Sequence, residues 1–358
     1  MKPIPNMAET PQRRFVVALT ADFFDNAGNL KFRDVGLSTL NGQQSIAIVP
    51  MNGFHQCVKP EQLQGVQGAI LMEAGADKHT VSDSENLLAL ARFGVGYNDI
   101  DVQACTDADV VFFTAAGGVD RSMAEATVGW MISLGHRFRA KDLLVRSGRW
   151  DQASDHVGVE LRDRTFGTIG FGGIGRATVE LLQGFGMSQP LAYDPYCAPE
   201  TANRLGVKMV PLDELMRSAD FVSIHCPLND GTRNLVGRQE LALMKPDAFI
   251  INTARGGIIN EDALFEVLEA GHIAGAAIDV FVGEPFDKPH RFSVLDNVLL
   301  APHAVGLTHE IYRDIGKAVC RGMVDVALGR QPRSVINPDV FDRPSFGRKW
   351  ARLRVGAG

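Results

Sequence analysis

Short apolar runs separated by amphipathic stretches set the rhythm of this chain. Phe15-Val-Val-Ala-Leu, Ile46-Ala-Ile-Val, Ala69-Ile-Leu-Met and Val110-Val-Phe-Phe form a first series, continuous enough to be strands buried on both faces. A second series follows: Thr168-Ile-Gly, Pro190-Leu-Ala-Tyr, Phe221-Val-Ser-Ile-His, Ala248-Phe-Ile-Ile-Asn, Ala274-Gly-Ala-Ala-Ile-Asp and Val298-Leu-Leu-Ala. Helical spacing between the runs predicts an α/β layer architecture with parallel sheets. The six runs of the second series fit the size of a doubly wound nucleotide-binding sheet.

Between the two series, Met123, Val128, Met131, Leu134, Leu143 and Leu144 recur at helical spacing. The stretch from Arg121 to Trp150 therefore reads as one long helix or two, with Gly135 the weak point. Helical patterning resumes from Glu310 to Leu328, which would return the chain to its first domain. The expected division is a discontinuous domain of residues 1–120 and 307–358, and a second of residues 121–306 that includes the joining helices. From Arg343 to Arg354 the chain gathers Arg343, Arg348, Lys349, Arg352 and Arg354, which as a charge run reads as a solvated tail.

Composition narrows the classes. The 358 residues are 45% hydrophobic and 22% charged, enough for a sizeable core, and the net charge of −6 argues against a general nucleic-acid binder. Five widely spaced cysteines with no CxxC pair predict reduced thiols and no zinc site. Met1 to Arg14 has three prolines and no apolar leader, and no run reaches the length of a membrane span. The expectation is a soluble, cytoplasmic protein with no nucleic-acid or membrane partner.

Candidate chemistry begins at Gly170-Phe-Gly-Gly-Ile-Gly175, which follows an apolar strand and opens a helix from Arg176 to Leu182. In that context Gly170 permits the tight turn, Gly172 lets backbone approach a pyrophosphate, and Gly175 lets helix and strand pack. Asp194 ends the next strand at the distance where an acid can bind a ribose 2′-hydroxyl. Its charge would repel a 2′-phosphate, so NAD is expected rather than NADP.

Three later motifs end strands of the same series: Asn252-Thr-Ala-Arg-Gly-Gly257, Asp279-Val-Phe-Val-Gly-Glu-Pro285 and Ala301-Pro-His-Ala-Val-Gly306. They supply Arg255, whose planar fork can grip a carboxylate, His303, an acid-base group, and Glu284, which could orient it. Each has an ordinary alternative, as a surface ion-pair partner, a hydrogen-bonded loop residue or a turn acid.

Taken with His225-Cys-Pro-Leu-Asn-Asp-Gly-Thr-Arg and Tyr193-Asp-Pro, these motifs resemble the D-isomer-specific 2-hydroxyacid dehydrogenases, over roughly Val81 to Pro338. The resemblance implies two Rossmann-like domains, one flavodoxin-like and one dinucleotide-binding, with a cleft between them. It implies hydride transfer between NAD and C2 of a small 2-hydroxy or 2-keto acid, with Arg255, Glu284 and His303 as the catalytic trio. It extends the cofactor contacts to Gly173, Ile174, Cys226, Pro227, Thr232, Thr253, Ala254 and Asp279. The loop Arg92-Phe-Gly-Val-Gly-Tyr-Asn-Asp-Ile-Asp101 would hold the substrate carboxylate on the N–H groups of Val95 and Gly96, and helices around Met123 would form a homodimer surface.

Departures from the family pattern shape the substrate expectation. Thr114-Ala-Ala-Gly-Gly118 stands where relatives often read Asn-Thr-Pro, which removes a hydroxyl near the nicotinamide. Glu73-Ala-Gly-Ala stands where several relatives carry Arg-Ser, and an acid there would repel a phosphorylated substrate. An unphosphorylated acid, with hydroxyls that Glu73 and Lys78 could bind, is therefore expected. The sequence runs only a short way past Asn337-Pro338, so no added regulatory domain is expected. The other readings weighed are an NAD-sensing corepressor without catalysis, against which the intact trio speaks, a formate or phosphonate dehydrogenase, disfavoured by Glu284, and an oxidoisomerase of a branched sugar acid.

Overall fold

The computed structural model describes residues 14–82 and 84–355. Most of the Met1 to Arg14 segment, read above for the lack of a leader, lies outside the described residues. The chain divides into two compact units, Met1–Val119 with Thr308–Gly358, and Asp120–Leu307. Strands of the first are β1 (Phe15–Leu19), β2 (Ile46–Pro50), β3 (Gly68–Leu71), β4 (Ala89–Arg92) and β5 (Val111–Phe113). Those of the second are β6 (Phe166–Ile169), β7 (Leu191–Tyr193), β8 (Lys208–Met209), β9 (Phe221–Ile224), β10 (Phe249–Asn252), β11 (Gly275–Ile278) and β12 (Val298–Leu300). Six helices matter below: α1 (Val102–Asp107), α2 (Asp120–Gly135), α3 (Phe138–Arg146), α4 (Gly173–Leu182), α5 (His309–Ala327) and α6 (Pro344–Leu353).

Both sheets are parallel, ordered β2-β1-β3-β4-β5 and β12-β11-β10-β9-β6-β7-β8. The first order is flavodoxin-like and the second doubly wound about β6, so the expected α/β class with two Rossmann-like sheets holds. Strand residues are buried on both faces, as in the patterns BBBB of β3, β6, β9, β10 and β11. That is why the sequence showed runs rather than alternation.

Two strands were not legible. β4 is Ala-Leu-Ala-Arg, built from good helix formers, and becomes a strand because β3 and β5 flank it with parallel ladders. β8 has two residues, too few to leave a pattern. The joining stretch is two helices: after Gly135 the backbone of Arg137 turns left-handed at φ +54°, which ends α2 before α3 begins.

The solvated tail is overturned. α6 carries Phe346 and Leu353, each 1% exposed, and Trp350 donates from Nε1 to the Val326 carbonyl at 2.8 Å. Three of its five cations are engaged as well. Arg343 Nε donates to Asp109 at 2.6 Å, and Arg352 donates to the Glu85 carbonyl at 2.7 Å. Lys349 Nζ caps the end of α1 through the carbonyls of Ala108 and Asp109 at 2.9 and 3.0 Å, and burial pushes its pKa down to about 8. Apolar residues spaced i, i+4 and i+7 mark a docked amphipathic helix, a signal the charges obscured. Phe346→Ala should lower stability by about 3 kcal/mol in urea denaturation, whereas an unshifted midpoint would show that α6 does not dock.

Candidate active site

The glycine loop stands where the strand order of the second sheet reverses, at the carboxyl ends of β6 and β9. Gly170 has φ +94°, and a Cβ there would lie 2.7 Å from the backbone of His225 and of Cys226. Only glycine lets these two strand ends meet. Gly175 is confined in the same way, since its Cβ would lie 2.7 Å from the Gly170 carbonyl oxygen. Gly172, just before α4, opens instead on space with nothing within 4 Å. Bare backbone at a helix N-terminus offers unpaired N–H groups to an anion.

Residues expected around a dinucleotide converge on this corner. Gly173 and Ile174 form the first turn of α4, and Asp194 follows β7. Asp194 accepts from the N–H of Phe171 and of Tyr196, both at 2.8 Å, so the acid also fastens the glycine loop to the neighbouring strand. Thr232 donates to the Pro227 carbonyl at 2.6 Å and accepts from Asn229 N–H at 2.8 Å, which shapes the turn after Cys226. Burial pushes the Cys226 thiol up to about 11, so it stays protonated at neutral pH. Ala254 N–H donates to Asn252 at 3.1 Å.

Two polar atoms in this corner are buried without a partner among the described residues, His225 Nδ1 and Thr253 Oγ1. Burial pushes His225 down to about 3, so its ring is neutral, with Nε2 2.9 Å from Ser223 Oγ. An orphaned hydroxyl at the end of β10 and an open glycine at the helix start fit a dinucleotide, which would offer polar atoms to both. Neither His225, beyond its motif, nor Asp120, the first residue of α2, was singled out by the sequence reading. A Cβ built on Gly173 would overlap all three atoms of the Asp120 carboxyl group. Burial pushes the pKa of Asp120 up, and Arg176 opposes that.

Arg255, Glu284 and His303 meet at the same sheet edge. Glu284 Oε1 lies 2.5 Å from His303 Nδ1, and its Oε2 accepts from Phe281 N–H at 2.9 Å. Arg255 is near enough to help lower the Glu284 pKa. Burial works to raise that pKa, but the hydrogen bonds from His303 and Phe281 and the two positive fields outweigh it. Arg255 Nη1 donates to the Ala254 carbonyl at 2.6 Å, and the Arg255 carbonyl accepts from Asn252 at 3.0 Å. Gly256 beside it has no room for a Cβ because the backbone of Phe281 and Val282 passes there, so the glycines of that motif admit the loop that carries Glu284.

His303 adopts φ +55°, uncommon for a side chain with a Cβ. Asp279, 2% exposed, holds it there. The Asp279 carbonyl accepts from His303 N–H at 2.7 Å, and its carboxylate accepts from Ala304 and Val305 at 2.8 and 3.1 Å.

In the first unit, β4 ends at Arg92, whose Nη1 donates to Asp99 in the following loop at 2.8 Å and to the Ala74 carbonyl at 3.2 Å. The N–H groups of Val95 and Gly96 make no hydrogen bond to the described residues. Glu73 follows β3 at the point where this sheet's order reverses, between β1 and β3. Its N–H donates to Asp22 at 2.7 Å, and Asp22, 5% exposed, accepts from Thr20 at 2.5 Å. The Glu73 side chain is exposed and forms no ion pair among the described residues, with Lys78 or otherwise.

A flavodoxin-like sheet in one unit and a doubly wound sheet in the other, the latter with a glycine corner and an Arg, Glu and His set at its carboxyl edge, define a two-unit α/β fold of the nucleotide-binding class. Residues 128–305 match the family described as D-isomer specific 2-hydroxyacid dehydrogenase, NAD binding domain. The chain is 33% identical over 271 residues to glyoxylate reductase of Thermococcus litoralis, covering 74% of this chain and 81% of that one. It is 36% identical over 295 residues to D-3-phosphoglycerate dehydrogenase of Methanocaldococcus jannaschii, covering 81% of this chain and 56% of that one. It thus spans about half the length of the phosphoglycerate dehydrogenases it matches. The solved structure of D-2-hydroxyisocaproate dehydrogenase shares the fold, with a TM-score of 0.76 at 20% identity, covering 90% of this chain and 100% of that one. The chain belongs to the D-isomer-specific 2-hydroxyacid dehydrogenases, and its second unit is the NAD-binding domain.

Glu284 titrates below its ordinary value of 4.5, so the carboxylate partner of His303 stays charged at every pH above that. The stabilisation of the pair is present above the ordinary value and lost as pH falls through the depressed one. An acid limb in turnover assignable to Glu284, by its absence from Glu284→Gln, should therefore lie below pH 4.5. A Glu284-dependent limb above that pH would contradict the arrangement.

Proposed function

We propose that this chain is an NAD-dependent dehydrogenase interconverting a 2-keto acid and its 2-hydroxy acid. The observation that carries the reading is the 2.5 Å contact of His303 Nδ1 with Glu284, with Arg255 beside it. When bound at the glycine corner by Gly172, Gly173, Ile174 and Asp194, a dinucleotide would supply hydride chemistry for C2. Arg255 binds the substrate carboxylate and polarises the carbonyl through its charged fork. His303 gives a proton from Nε2 to the C2 oxygen, and takes it back in the oxidative direction. Glu284 keeps Nδ1 protonated, fixes the ring and stabilises the imidazolium. The uncommitted N–H groups of Val95 and Gly96 support their assignment to the substrate carboxylate.

Glu73 supports an unphosphorylated substrate, because an unneutralised carboxylate at a sheet's reversal point disfavours a second anionic group. With Lys78 it is assigned to substrate hydroxyls. Asp194 supports NAD over NADP. Steady-state rates with NADH and paired free and phosphorylated 2-keto acids test these assignments together. His303→Ala should lower kcat by roughly 10²- to 10⁴-fold, and Arg255→Ala should lower kcat/KM for the same substrate. A preference for phosphorylated acids would remove the role given to Glu73, and a preference for NADPH that given to Asp194.

A homodimer through the helices near Met123 is supported by apolar side chains left exposed on α3 and just after it. Phe138 is 52% exposed, Val145 55% and Trp150 69%. Light scattering should give twice the chain mass, and a monomer at micromolar concentration would reject the dimer.

A further inference from the structure

The first turn of α4 is already in contact with an anion that belongs to the protein. Gly173 leaves a notch in that turn, and the Asp120 carboxyl group lies in it, in the volume that a Cβ at residue 173 would take. Any side chain at 173 would expel it. Asp120 is half-buried, and no described residue donates a hydrogen bond to it. Arg176, one turn along α4, is the charge that acts on it, without a contact close enough to be an ion pair. Asp120 is also the first residue of α2, so it stands at the positive ends of two helices.

We infer that Asp120 is an internal competitor for the pyrophosphate of the dinucleotide: its carboxylate rests on the N-terminal turn of α4, and cofactor binding must displace it or tolerate its charge. The inference rests on the second unit being an NAD-binding domain and not on the reaction proposed for the trio. Like charges held a few ångströms apart in a partly dry site repel far more than in water. The unperturbed chain therefore binds dinucleotides more weakly than its glycine corner alone would allow. Gly173 is the permissive half of the device and Asp120 the active half. Arg176, shared between the two anions, limits the penalty when both are present.

The test is equilibrium binding by the full chain of NADH, ADP-ribose and adenosine, the last lacking the pyrophosphate. NADH is read by its fluorescence and all three by calorimetry. Asp120→Asn should tighten NADH and ADP-ribose by roughly tenfold and leave adenosine unchanged. Gly173→Ala, which fills the notch, should tighten both in the same direction, and it serves alone if Asp120→Asn fails to fold. Unchanged or weaker binding of ADP-ribose by a folded variant would overturn the proposal. So would an equal gain for adenosine, which would mark a general effect on the domain. Loss of turnover in the parent chain would sink the proposed reaction while leaving this binding result standing.

Discussion

The candidate site depends on one buried carboxylate. Asp279 accepts the N–H of His303 on its main chain and those of Ala304 and Val305 on its side chain, and so fixes a loop from the end of β12 against the end of β11. Burial raises the cost of its charge, and the two backbone donors to its carboxylate offset part of that cost. These bonds hold the loop where His303 takes its positive φ. The imidazole meets Glu284 because the backbone brings it there, and the Glu284 loop is seated in turn by the absence of a Cβ at Gly256.

Much of this was legible in the chain because glycine reports backbone geometry directly. The spacing of Gly170, Gly172 and Gly175 carried two different meanings, close packing at the outer two and open access at the middle one, and the structure separates them by what a Cβ would meet. Arg255, Glu284 and His303 could be gathered because each ends an unmistakable apolar strand. What could not be read were features decided by distant partners. β4 has helical propensity and is a strand only through its neighbours, and Asp120 is an unremarkable helix-start acid until Gly173 is packed against it.

The basic segment from Arg343 teaches the opposite lesson. Counting its charges predicted solvent, whereas the spacing of Phe346, Trp350 and Leu353 described a docked face. Charged heads on long aliphatic stems can lie along a packed helix and still find carbonyls or carboxylates at its rim, which is what Arg343, Lys349 and Arg352 do.

Asn337 shows how deeply the first unit relies on chain that comes late. Its side chain accepts from Phe112 N–H at 2.8 Å and donates to the Val110 carbonyl at 2.9 Å and to Thr106 at 3.1 Å, bracing β5 and the end of α1. Strands β1 to β5 leave the ribosome first, yet α5, Asn337 and α6 cannot reach them until the whole second unit has been made. The contiguous unit can close as it emerges, while the earlier one waits with an apolar sheet incompletely covered. Order of synthesis and order of completion are thus reversed, and the strands made earlier are the ones covered later.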